Sequence, residues 1–244
     1  MGLFNIFKSG NSNKMIALDE LQSGDSDLFV SNYKKPRIPV LLKGAAANWP
    51  LMSNWTKEYI VEHMGSYVCK VIKDSRPAYS KEQTTLKFYF EKLSGVSTLT
   101  LDPFNARKPP LFYKDVKSSN PYFKTNDIQR FFFFHSVKNA GTLPHIHGNA
   151  FNILQSGTKE WVFYDASEKH NPEGYELLHT FNRKYGLGTH AKDWFKNEVP
   201  KLPNKQENVY RCTQEAGDIV FIPNGYCHAV LNKSEVMGIV FETK

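Results

Sequence analysis

Cysteine is scarce in this 244-residue chain: Cys69, Cys212 and Cys227 are scattered, odd in number, and form no Cys-x-x-Cys pair. That excludes a disulfide framework and a cysteine metal knuckle, and it suits a reducing compartment, so a cytoplasmic location is expected. Long apolar runs are also missing. The most apolar stretches, such as Arg130–Val137, have strand length, well short of the ~18–20 residues of a membrane span, so no membrane partner is expected. The first residues, Met1-Gly2-Leu3-Phe4-Asn5-Ile6, lack a basic region ahead of a long apolar block, so no secretory leader is expected. Ile6 stands where N-myristoylation after Gly2 wants Ser or Thr. Finally, there is no dense Lys/Arg run. The net charge of +7 is spread along the chain; it suits an acidic protein or peptide, or a nucleic acid, without choosing between them, and it leaves the oligomeric state open.

What the chain has in quantity is rings. Phe 18, Tyr 12 and Trp 4 exclude disorder for its bulk, because such side chains imply a buried core. Residues 1–14 are expected to be a frayed tail and residues 15–244 one domain. Within it, 15–127 reads as an N-terminal elaboration of helices and strands. Met15–Leu21 is expected as a short helix, Val40-Leu41-Leu42 as a buried strand, and Trp55–Met64 as a helix stopped by Gly65. Tyr67–Ile72 reads as a strand and Leu86–Leu93 as a helix. From 128 to 244 the texture is that of a barrel core: short strands punctuated by Gly and Pro, with a turn at Ser156–Lys159 and a polar insertion over 165–208 carrying a helix or two. The expected fold is mainly β with flanking helices, closed as an antiparallel double-sheet barrel of the jelly-roll kind.

The chemistry-bearing feature is Thr142-Leu143-Pro144-His145-Ile146-His147-Gly148. Residues i and i+2 of an extended segment project from one face, so His145 and His147 present two imidazoles side by side. A third, His228, follows the strand and turn Ile222-Pro223-Asn224-Gly225-Tyr226-Cys227. If those strands lie together, three imidazoles meet at one metal ion and leave positions open on it.

These residues resemble a known family. Gly141-Thr142, His145-Ile146-His147, Asn152, Gly157-Thr158-Lys159-Glu160-Trp161, Ala216–Pro223 and His228–Asn232 look like the JmjC, or cupin-8, group of 2-oxoglutarate oxygenases. Pro39–Ala45 with Trp49, Pro50 and Trp55 is similar to the strand and Trp-containing helix that open its small hydroxylases, so the likeness spans about 30–243. It implies a cupin barrel, a double-stranded β-helix. It implies that His145 and His228 hold Fe(II), and that Lys159 pairs with the distal carboxylate of 2-oxoglutarate, helped by Thr142 and Asn152. The family's usual pattern is His-x-Asp or His-x-Glu. Here His147 fills the acidic slot, as in a His-x-His-Gly subgroup, so the ligand set reads His145, His147, His228 and suits Fe(II), Zn, Cu or Ni.

The function implied is a 2-oxoglutarate-dependent dioxygenase that hydroxylates a side chain of a protein or peptide. Two alternatives stay open: a non-catalytic cupin-like scaffold that binds metal or a partner, and a three-His metal dioxygenase of a small molecule, which has no need of a dicarboxylate cradle. Asn224 and Tyr226 flank His228 and are candidates for substrate contact. Phe131–Phe134 could floor a cofactor pocket but read first as core on both strand faces. His135 reads as a satisfied polar residue, Asp218 as a turn residue, and Trp161, Tyr164 and Trp194 as packing. His170, His179 and His190 fall in the insertion without metal-ligand spacing.

Overall fold

In the computed structural model the described residues are 15–22, 24–73, 82–95, 97–101, 114–116, 120–185 and 191–244. The expected tail over 1–14 and His190 lie outside them. The fold is mainly β with flanking helices. Two sheets face each other, each backed by helices.

The smaller sheet runs β1 (Ile16–Ala17), β11 (Tyr210–Glu215), β10 (Thr158–Asp165), β13 (Tyr226–Asn232), β8 (Gly141–His145). The larger has nine strands in the order β2 (Glu20–Gln22), β3 (Val40–Lys43), β12 (Ile219–Ile222), β9 (Ala150–Ser156), β14 (Val236–Thr243), β7 (Ile128–Ser136), β6 (Ser97–Leu101), β4 (Val68–Lys73), β5 (Glu82–Thr85). Pairing is antiparallel except at β1–β11 and β2–β3. The jumps in sequence order are those of strands that alternate between two sheets.

Period-two alternation sorts the larger sheet's side chains. On one face Val40, Phe131, Phe133, Phe151, Ile153, Phe221 and Ile239 join a core completed by Trp55, Ile60, Met64, Leu86 and Tyr89 from the N-terminal helices. Those helices are α2 (Pro50–Asn54), α3 (Lys57–Met64) and α4 (Leu86–Lys92). Thr56 and Thr85 begin α3 and α4 by accepting from the amides of Tyr59 and Phe88. Between the sheets, Leu41, Val220 and Ile222 meet Trp161, Phe163 and Val230. Behind the smaller sheet, Val162, Tyr164 and Ala229 pack on the insertion's helices α5 (Pro172–Tyr185) and α6 (Ala191–Asn197), anchored by the fully buried Trp194. The long apolar face the insertion covers is the reason it folds rather than loops.

One expectation fails. Met15–Leu21 forms β1 and β2, not a helix. Ile16 donates to the Val209 carbonyl (2.8 Å) and Leu18 to that of Arg211 (2.9 Å), so open edges of both sheets capture a segment too short to hold a helix by itself. The turn before β10 is also tighter than expected: Gly157 alone (φ 85°) makes it, and Lys159 lies inside the strand. Among the described residues no helix is long and apolar enough to cross a membrane.

Candidate metal centre

A cavity of about 540 Å³ opens between the sheets. His145 ends β8, His147 follows two residues later, and His228 lies on β13 directly opposite His145 in the strand register. The side-chain ligand atoms of the three lie within 4.8 Å of one another. Ring centres are separated by 4.1 Å (His145–His228), 4.6 Å (His147–His228) and 5.5 Å (His145–His147).

Their hydrogen bonds fix what these rings offer. Nδ1 of His145 meets the Leu143 carbonyl at 2.8 Å, that of His147 the Gly148 carbonyl at 2.7 Å, and that of His228 the Tyr226 carbonyl at 3.2 Å. A carbonyl only accepts, so each Nδ1 carries a proton, and in the neutral ring it is Nε2 that keeps the lone pair. Burial, with His147 beside it, holds His145 down to about 4. Burial, then His145 and His147, holds His228 well below the usual range. Among the described residues no other group of three His, Cys, Asp or Glu side chains is arranged for a metal, so His170 and His179 form no second one.

Away from the imidazoles the cavity is lined by Lys159, Asn152, Thr142 and Asn232. Lys159 is 6% exposed, and its Nζ sits 3.6 Å over the Phe134 ring with no carboxylate among the described residues paired to it. Burial pushes its pKa down to about 7. Glu160, the next residue, points the other way to Arg211 (2.6 Å) and Lys233 (3.3 Å). Asn152 is buried and its Oδ1 has no hydrogen-bond partner among the described residues. The sequence-selected residues His145, His147, His228, Thr142, Asn152 and Lys159 thus line one cavity. Asn224 and Tyr226 are not among its lining residues: Asn224 is exposed and its amide donates to Asn149 Oδ1, while Tyr226 packs between the sheets.

Thr142 and His145 are three apart, which a regular strand would place on opposite faces. The register of β8 against β13 shifts between His228 and Val230, and this bulge turns both inward. Against expectation, the phenylalanine run is not core on both faces: Phe131 and Phe133 enter the outer core, while Phe132 and Phe134 line the cavity because the opposite strand face looks into the gap between the sheets. His135 is satisfied, between Tyr89 Oη (2.8 Å) and Glu235 (2.7 Å). Asp218 is more than a turn residue. It is buried, accepts from the Gly44 and Glu215 amides at 2.9 Å, and pairs with Lys43 at 2.8 Å. Sequence reasoning missed Glu242, the one carboxylate among the described lining residues. Its parity with Gly238 and Val240 on β14 was the available signal.

Comparison with known proteins agrees with this geometry. A model of the JmjC domain, described as a hydroxylase, matches residues 145–239, which take in all three histidines. The chain is 24% identical over 233 residues to the arginine-specific demethylase JMJ22 of Arabidopsis thaliana, covering 86% of this chain and 43% of that protein. It is 24% identical to the bifunctional arginine demethylase and lysyl-hydroxylase psr-1 of Caenorhabditis elegans, covering 86% and 56%. With the human JmjC domain-containing protein 8 it shares 23%, covering 84% and 75%. The chain spans about half the length of the first two. Matched domain, matched relatives and the two facing sheets agree: over residues 145–239 this chain is similar to the JmjC domain, and its mainly β fold with flanking helices is of the cupin-type double-stranded β-helix kind.

Proposed function

We propose that this protein is an Fe(II)- and 2-oxoglutarate-dependent oxygenase that hydroxylates a side chain of a protein or peptide. The observation that carries the reading is one cavity holding three clustered imidazoles together with a buried ammonium that no carboxylate among the described residues pairs. Burying an ammonium without an anion is unfavourable by several kcal/mol, roughly, so a site built this way fits an anionic ligand. The orphaned Asn152 Oδ1 marks the same end as one where a polar ligand completes the hydrogen bonding. A three-His dioxygenase of a small molecule would leave Lys159 unexplained.

In this reading His145, His147 and His228 hold the iron and Lys159, Asn152 and Thr142 hold 2-oxoglutarate. Bound together, iron and cosubstrate couple oxidation of a substrate C–H bond by dioxygen to the conversion of 2-oxoglutarate to succinate and carbon dioxide. The chain's own part is positional. The three backbone carbonyls lock the imidazole rings, so their Nε2 atoms need no reorganisation to coordinate. Lys159 supplies a point charge on a strand rather than a loop, which sets one end of the dicarboxylate. Phe132, Phe134, Ile222 and Val240 line the walls and exclude water. The relatives' names include a demethylase of arginine and a hydroxylase of lysine, which supports a protein side chain as the substrate class.

Thermal unfolding tests the reading, because a ligand that binds only the folded state raises Tm by mass action. Millimolar 2-oxoglutarate with Mn(II) should stabilise the wild type and leave Lys159→Ala unmoved, and Fe(II) in place of Mn(II) should yield succinate. Equal shifts in both proteins, or none in either, would overturn it.

A further inference from the structure

Three neutral imidazoles bring no charge to a metal, and among the described residues one carboxylate, Glu242, lines the same cavity. Successive rungs of the two sheets set the levels of the cavity. On the smaller sheet the order from inside outward is Lys159–Asn232, then Trp161–Val230–Thr142, then Phe163–His228–His145. On the larger sheet it is Phe134–Gly238–Leu154, then Phe132–Val240–Asn152, then Arg130–Glu242–Ala150. The contact between Lys159 and Phe134 fastens the first rungs to each other, and two rungs further out lie His145 with His228 on one sheet and Glu242 on the other. Ala150, its partner across the ladder, is three residues beyond His147. Both Glu242 and His147 line the cavity, and the Glu242 side chain is only 17% exposed.

Glu242 lies outside the group of atoms within 4.8 Å that the imidazoles form, so it is not a fourth ligand here. Among the described residues its ion pair is to Arg130, loose at 3.9 Å and on the solvent side, Arg130 being 48% exposed. We propose that Glu242 is the acidic member of this metal centre: a carboxylate delivered from β14 that offsets, from the cavity wall, the charge of a divalent ion on His145, His147 and His228. The inference rests on the metal-binding half of the proposed function. Its physical basis is that a dication on three neutral ligands in a partly dry cavity keeps its full double charge, and nearby fixed charge then governs how strongly it is held.

Arg130 gives the test a sign that a packing role cannot imitate. Mn(II) affinity of the metal-free full chain is measured by competition with a fluorescent chelator, without cosubstrate or turnover. Glu242→Gln, which preserves shape and hydrogen bonding, should weaken Mn(II) roughly tenfold, the scale of an outer-shell carboxylate. Arg130→Gln should tighten it several-fold, because it removes a cation from the same rung. Melting temperatures of both variants report folding. Loss of affinity in both variants, or no change in Glu242→Gln when the wild type binds Mn(II), overturns the inference and leaves the oxygenase reading standing. A wild type that binds no Mn(II) overturns both.

Discussion

The Nζ of Lys159 lies 3.6 Å from the centre of the Phe134 ring, across the gap between the two sheets. That contact joins the ends of two strands, β10 and β7, and places the only lysine among the described cavity-lining residues against an aromatic face instead of a carboxylate. A ring face attracts a cation and is much weaker than an ion pair, so Lys159 remains poised for an anion. The following expectations all descend from this arrangement and from the three histidines.

Stability of the metal-free protein should depend on pH through Lys159. Burial lowers its pKa from 10.5 to about 7, so between those values the unfolded chain binds more protons than the folded one and stability rises with pH. Below about 7 the penalty is fully present, on the order of a few kcal/mol. Denaturant unfolding of wild type and Lys159→Met, compared at pH 6.5, 7.5 and 8.5, should show the difference narrowing as pH rises. A constant difference would mean Lys159 is not buried as a strained ammonium.

His147→Ala should lose most bound metal, at least ~10-fold in affinity, corresponding to about 1.4 kcal/mol or more. Metal content after dialysis measures it. Unchanged content would show that His145 and His228 suffice.

His147→Asp should retain a metal site and raise succinate formation, because an anionic ligand better matches a high charge on iron. Succinate release per bound iron is the comparison. A variant that binds iron as well as the wild type with no gain would locate the limit elsewhere.

Gly157→Ala should destabilise the fold by about 1–3 kcal/mol and reduce cosubstrate binding with it. Its φ is +85°, and a Cβ there would lie 2.1 Å from the Glu235 carbonyl oxygen, so the turn leading into Lys159 has to move. Chemical denaturation gives the first quantity and the 2-oxoglutarate-induced Tm shift the second; a stable variant with normal shift would dismiss the turn as the element that aims Lys159.

Much of this was legible in the sequence because strands have a period of two. Alternation alone put His145 with His147 and sent Lys159 and Glu160 to opposite sides, whereas Phe131–Phe134 read as core on both faces, and only the second sheet shows that one face borders a cavity. Local turn chemistry marked Gly157, and the polar insertion was recognisable by composition. What the sequence could not carry was anything set by pairing at a distance. Only the register of β8 against β13 brought His228 opposite His145, and only the bulge in that pairing turned Thr142 inward with them. Only the larger sheet's ladder set Glu242 opposite Ala150, three residues beyond His147, on the cavity wall. Residues 15–21 took strand form because two sheet edges offered hydrogen bonds that a short helix could not match. Side-chain direction along one strand is a property of the chain; which strand lies beside it, and at what offset, is decided by the packing of both sheets around a shared interior.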